Sequence, residues 1–204
     1  MKTKDKIVHD SLNLFNKNTF EKSTTNLIAK NSEVLEGSLW YHFNSKQDLV
    51  SVHTDLFLDS FNRERVHSKK NNSKELILSL FSIYEVLWDY RYLMRDSFEL
   101  FSIDNPKLYK KIIDINCEID VWAKEAIIHA KNIRVLIIQN EDIESLVEIS
   151  LIIGRHWLDY SMKKYPFKSD LYLRKKGINL LIKTLYPYLS GDSKIIMDSI
   201  YESD

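Results

Sequence analysis

Residues 31–46, NSEVLEGSLWYHFNSK, set Trp40, Tyr41, His42 and Phe43 side by side, directly before Asn44-Ser45-Lys46. Helical neighbours point about 100° apart, so four consecutive rings cannot all face one core. Leu39 and Phe43, four apart, share a face with Val34 nearby and read as core. Trp40, Tyr41 and His42 then look outward. Their indole N–H, phenol O–H and imidazole N–H can each donate to a phosphate or reach a base edge. The competing arrangement packs Trp40 or His42 against the fourth helix. Two acids, Glu33 and Glu36, sit just upstream and need partners of their own.

Upstream of this stretch, residues 5–17 place Ile7, Val8, Leu12, Leu14 and Phe15 at helical spacing, and Asn18-Thr19 ends that helix. Ser23, Thr24 and Thr25 are N-cap residues ahead of Leu27, Ile28 and Ala29, a short second helix. Residues 31–34 turn the chain into a third short helix, from Leu35 to about Tyr41. Ser45 and Asp48 then form an S-x-x-D cap for a fourth helix that reaches about Val66, with Leu49, Val52, Leu56 and Phe57 on one face.

Downstream, the polar stretch 67–74 suits a boundary, with Ser73 as the cap of the next helix. Residues 75–103 hold an aromatic-rich helical pair, and 107–131 one long amphipathic helix. Two apolar helices span about 142–164 and 170–189, and 192–202 add a short terminal helix. With only 4 Gly and 3 Pro in 204 residues, and no strand-like alternation, the fold class is all-α.

Composition excludes more than it selects. Formal net charge is zero, so nothing pulls the whole chain toward nucleic acid or anionic membrane, and any such binding depends on local charge. No apolar run approaches membrane-spanning length, which points away from a membrane partner. A single cysteine, Cys117, fits a reducing cytoplasm and reads as a packing residue. The six histidines are scattered, with no H-E-x-x-H, C-x-x-C or Gly-rich phosphate loop. Neither an enzyme, a metal site nor a cofactor is expected.

A helix followed by short helix, turn and short helix is the layout of a helix-turn-helix unit. The residues Leu14-Phe15, Phe20, Thr24-Thr25, Ile28-Ala29, Val34, Gly37-Ser38-Leu39-Trp40-Tyr41-His42-Phe43 and Ser45-Lys46 resemble, in order and in nearly all spacings, the pattern of TetR-type repressors. The match covers about the first fifty residues; the rest of the chain is similar to the family in helical layout alone. The resemblance implies a three-helix DNA-binding head over 1–48 and a larger helical effector-binding and dimerisation domain over 49–204, with the fourth helix (45–66) as connector.

It also implies roles for individual residues. Phosphate contacts fall on Thr25, Trp40, His42 and Lys46, and base reading on Asn26, Glu36, Gly37, Ser38 and Tyr41. Thr24 and Thr25 cap the second helix, whose positive end could also grip a phosphate. Lys46 starts the fourth helix, where a cation opposes the dipole; an external anion would resolve that conflict.

Three departures from the pattern stand out. Thr19 and Glu33 replace usual glycines, and a left-handed conformation there costs a non-Gly residue on the order of 1 kcal/mol. Leu35-Glu36 gives the reading helix an apolar, acidic start. Glu36 either accepts from a cytosine N4 amine or lies off the DNA.

In the larger domain, Leu146, Val147, Ser150, Leu151, Gly154, Trp157 and Leu158 form one apolar face, and Ile178, Leu181, Ile182, Leu185 and Leu189 another. They suit either the interior of one chain or a homodimer through helices about 142–164 and 170–189, and the small residues Ser150 and Gly154 tilt toward the dimer. Trp88, Tyr92, Arg95, Phe98, Trp122 and His156 are candidates to surround an unknown small-molecule effector, or else simply fill a core. The expected function is a cytoplasmic, homodimeric, ligand-responsive repressor on a palindromic operator in double-stranded DNA. The alternative is a chromosome-organising DNA-binding protein with a protein partner and no effector.

Overall fold

The computed structural model describes residues 2–95 and 105–201. Among these the chain is all-α: α1 (Thr3–Asn18), α2 (Thr25–Asn31), α3 (Glu36–His42), α4 (Lys46–Arg65), α5 (Ser73–Asp89), the single turn α6 (Tyr92–Arg95), α7 (Pro106–Asn132), α8 (Ile143–Lys164), α9 (Asp170–Leu185) and α10 (Gly191–Tyr201). Extended pairing among the described residues is limited to one isolated bridge, Leu136 with Leu189. No described helix is long and apolar enough to cross a membrane.

The chain divides into two compact units, residues 1–59 with 89–115, and residues 60–88 with 116–204. In the first unit, α1 buries the stripe Ile7, Val8, Ser11, Leu14 and Phe15. It stops at Thr19, whose φ of 82° takes the chain out of the helix while its N–H still bonds the Phe15 carbonyl. The Thr24 hydroxyl caps α2 by accepting from Leu27 N at 3.2 Å. α2 ends where Glu33 takes the left-handed conformation, φ 54°, and Val34 N reaches back to the Ala29 carbonyl. Both positions expected to need a glycine therefore have positive φ, without one.

The Glu33 carboxylate pairs with Lys6 of α1. The hydrogen bond first, and the ammonium charge second, hold its carboxyl below the ordinary value. At α4 the expected cap is present: Asp48 N donates to Ser45 Oγ at 3.2 Å, and the Asp48 carboxylate accepts from Asn44 N at 2.8 Å.

Segment 89–92 completes this first unit. Tyr92 is fully buried, its ring 5.1 Å from Phe15, and its hydroxyl lies 2.7 Å from His53 Nδ1. His53 Nε2 lies 2.9 Å from the Val8 carbonyl, which can only accept, so Nε2 carries the proton and Nδ1 accepts from Tyr92. Burial lowers the His53 pKa to about 4, against a smaller opposing effect of the Val8 carbonyl. Asn16 holds the same segment by its backbone, donating to the Asp89 carbonyl at 2.6 Å and accepting from Tyr92 N at 3.1 Å.

The second unit is organised around the first turns of α9. Trp157 Nε1 donates to the Leu173 carbonyl (2.9 Å), the Tyr84 hydroxyl to the Arg174 carbonyl (3.2 Å) and Trp88 Nε1 to Asp170 Oδ2 (3.0 Å). Gly177 makes this approach possible, because a β-carbon there would sit 1.9 Å from the Tyr84 oxygen. Leu146, Val147, Ile178, Leu181, Ile182 and Leu185 close the core.

On α8 and α9, Leu146, Val147, Trp157, Ile178, Leu181, Ile182 and Leu185 are buried within the chain and Ser150 and Gly154 line a small apolar pocket with Leu87, while Ile149, Ile152 and Tyr160 of α8 are exposed. Two expectations change here. Asn72 rather than Ser73 caps α5, its side-chain oxygen accepting from Glu75 N at 3.1 Å. Cys117 is exposed, not packed, because the buried stripe of α7 runs through Leu108, Ile112, Ile115 and Ile119 and passes it by.

Candidate nucleic-acid interface

The rings of residues 40–43 divide as helical geometry requires. Leu39 and Phe43 are buried, whereas Trp40 is 43% and Tyr41 85% exposed. His42 is half-buried, and its ring meets Tyr41 edge-on at 5.0 Å. Neither Trp40 nor Tyr41 makes a side-chain hydrogen bond within the described residues. Gly37 is exposed, and a β-carbon built on it meets nothing within 4 Å. Asn26 on α2 is exposed and Ser38 half-buried.

The two acids have partners. Beyond Glu33 and Lys6, Glu36 Oε1 accepts from the Thr25 hydroxyl at 2.6 Å. Glu36 and Thr25 are the first residues of α3 and α2, so one carboxylate lies beside the positive ends of two helices. This bond ties a residue expected at phosphate to one expected at a base. Lys46 is also engaged: its ammonium donates to the carbonyls of Phe20 (2.7 Å) and Ser23 (3.0 Å) and sits 4.0 Å above the Phe20 ring. The carbonyls of the α1–α2 loop thus resolve the lysine's conflict with the α4 dipole without an external anion.

Leu35, which periodicity placed inside the reading helix, is its N-cap and is 82% exposed. The signal for it in sequence is weak: a leucine where a capping side chain is usual.

The profile described as bacterial regulatory proteins, tetR family, matches residues 7–52, and the one described as bacterial transcriptional repressor matches residues 62–195. The chain belongs to the TetR family. Both matching profiles are those of bacterial regulatory proteins. Among curated relatives it is similar to the HTH-type transcriptional regulator QacR of Staphylococcus aureus, 33% identical over 78 residues (36% of this chain, 42% of the relative). It is also similar to IcaR of the same species, the negative transcriptional regulator of the biofilm operon icaADBC, 29% identical over 87 residues (42% of this chain, 46% of the relative). The matches thus span less than half the length of either relative. A TetR-family regulator from Marinobacter aquaeolei VT8 shares the fold with TM-score 0.78 and 22% identity, covering 100% of this chain and 98% of the other.

Of the candidate effector residues in the second unit of this TetR-family chain, Trp88, Trp122 and His156 do not line one common cavity. Tyr92 belongs to the first unit, locked between Phe15 and His53. Trp88 is buried and bonded to Asp170. Trp122, bonded to Ser68 Oγ at 3.0 Å, borders two small apolar cavities of about 80 and 50 Å³ that also share Leu80. His156 is exposed in an open groove of about 470 Å³ with Asp120, Glu144, Glu148 and Arg155. The Arg95 side chain and Phe98 lie outside the described residues.

Proposed function

We propose that this chain is a homodimeric, ligand-responsive repressor that acts in the cytoplasm on a palindromic operator, with α3 in the major groove. The observation that carries this reading is the outward edge of α3. Trp40 and Tyr41 are exposed and bond no described residue, beside a glycine with open space around it, while Leu39 and Phe43 on the opposite face are core. Thr25, Trp40, His42 and Lys46 hold the register on phosphates, and Asn26, Glu36, Gly37, Ser38 and Tyr41 face the bases. Thr24 serves as the cap of α2.

The dimer forms through the solvent side of α8, where Ile149, Ile152 and Tyr160 are exposed along one stripe with His156. Charge along this helix is polarised. Glu141, Asp142, Glu144 and Glu148 lie at its start, Lys163, Lys164 and Lys168 at and beyond its end. A two-fold axis across the helix places each acidic end against the basic end of the other copy.

The effector is a small, uncharged, apolar molecule that joins the two cavities beside Leu80 and Trp122. Linkage then requires DNA and effector to weaken each other's binding equally, typically by about 1–3 kcal/mol. The size of those cavities, well below the several hundred Å³ of an ordinary ligand pocket, is what favours the second reading, a chromosome-organising protein with no effector.

Selection from random DNA by the purified chain tests the two. Enrichment of an inverted repeat, with half-sites about one helical turn apart or a multiple of it, supports the repressor. Uniform retention without a repeated motif supports the chromosome-organising alternative.

A further inference from the structure

We propose that Leu35 reads the 5-methyl group of a thymine in the bound DNA and so sets part of this chain's own sequence preference. The inference rests on the DNA-binding reading above. Leu35 occupies the N-cap of α3 in extended backbone (φ −69°, ψ 146°), and no side-chain hydrogen bond caps the helix there. A branched apolar residue is among the poorest choices at that position, where Ser, Thr, Asp or Asn would bond a free N–H. The residue is also 82% exposed, so it gains little of the burial that usually places a leucine. Two local preferences are broken at one residue. Such violations are expected where function sets the residue.

The chemistry of the groove narrows the partner. Recognition helices present their N-terminal residues to base edges. Leucine has neither donor nor acceptor, so it can bond neither phosphate nor the polar edge of any base. The apolar feature of the major-groove edge is the thymine methyl. The next residue, Glu36, is held by the Thr25 hydroxyl, and Gly37 after it has open space around it. Neither offers an apolar surface that would cover Leu35 instead.

The test replaces each thymine of the selected operator in turn by uracil, which removes the methyl and leaves the hydrogen-bonding edge intact. Binding is measured for the wild-type chain, Leu35→Ala and Leu35→Ser. The expected result is one thymine per half-site whose replacement weakens the wild type about three- to fivefold and leaves both variants unchanged. Leu35→Ser should also raise Tm by about 2–4 °C, because it restores a capping hydroxyl, while it weakens the thymine-containing operator. A folding defect cannot produce that pair of opposite signs. An operator with no uracil-sensitive thymine, or a uracil effect of equal size in Leu35→Ala, overturns the proposal and leaves the repressor reading standing. A chain that enriches no DNA sequence overturns both.

Discussion

On α3 a β-carbon built at Gly37 meets nothing within 4 Å, whereas on α9 one built at Gly177 would lie 1.9 Å from the Tyr84 oxygen and 2.5 Å from Trp157 Cδ1. The aromatic residues around the two glycines differ in the same way. Tyr84, Trp88 and Trp157 turn their polar atoms onto α9, while those of Trp40 and Tyr41 bond no described residue. At Gly177 the reason for the missing side chain is inside the chain. At Gly37 no neighbouring atom of the described residues would meet a side chain.

The strongest way to break this contrast is Gly177→Ala. It should destabilise the chain by roughly 1–2 kcal/mol in urea melts, since overpacking outweighs the better helix propensity of alanine. Adding Tyr84→Phe removes the oxygen nearest the new methyl, so the double variant should recover part of that loss. Full additivity would mean that Gly177 is not wedged as described.

Acid should act next, and on the interior of the first unit. His53 has a folded pKa of about 4 against an ordinary 6.5, so between those values the unfolded chain binds the extra proton. Stability from this group is complete above pH 6.5 and is lost as pH falls toward 4, by up to about 3 kcal/mol. Unfolding free energies measured at pH 7, 5.5 and 4.5 should show this slope, and His53→Gln should flatten it. An unchanged slope in the variant would assign the acid sensitivity to other groups.

Lys46→Met sharpens the comparison, because the residue stands between its two sides. Loss of the bonds to the Phe20 and Ser23 carbonyls should cost roughly 1–2 kcal/mol. The salt dependence of DNA binding should become shallower by about one. A stability loss with an unchanged salt slope would put the lysine wholly on the inner side.

Gly37→Ala should have the smallest effect on the fold and the opposite sign, a gain of about 0.5–1 kcal/mol with weaker DNA binding. Unchanged affinity would mean that the open space at Gly37 is not used by the operator.

How much of this was legible in sequence depends on the kind of information each feature needs. Direction along a helix follows from spacing alone, so the split between Leu39–Phe43 and Trp40–Tyr41 could be read directly. Local backbone chemistry was equally visible: Ser45 with Asp48 as a cap, and Thr19 and Glu33 at positive φ. Partners from distant segments were not. That Lys46 reaches the loop after α1, that Thr25 holds Glu36, and that Ser150 and Gly154 line a cavity with Leu87 all depend on how helices cross. Periodicity assigns a residue to a face but does not name what packs there. Tyr92 shows this limit best. Its ring looked like pocket lining among other rings, yet it belongs with Phe15 and His53.

The attachment of Tyr92 also bears on how the molecule is made and rearranged. The first unit consists of residues 1–59 and 89–115; His53 reaches the Val8 carbonyl within the early segment, while its bond to Tyr92 and the bonds of Asn16 to Asp89 and Tyr92 need the later one. During synthesis the early segment must therefore wait for about another thirty residues, made at roughly 5–20 residues per second, before the Tyr92 hydroxyl can reach its buried histidine. The same dependence limits the unit as a movable cassette. A chimera that transplants residues 1–59 alone lacks the bonds of Asn16 to Asp89 and Tyr92 and of His53 to Tyr92, whereas one that carries 89–115 with them keeps these bonds.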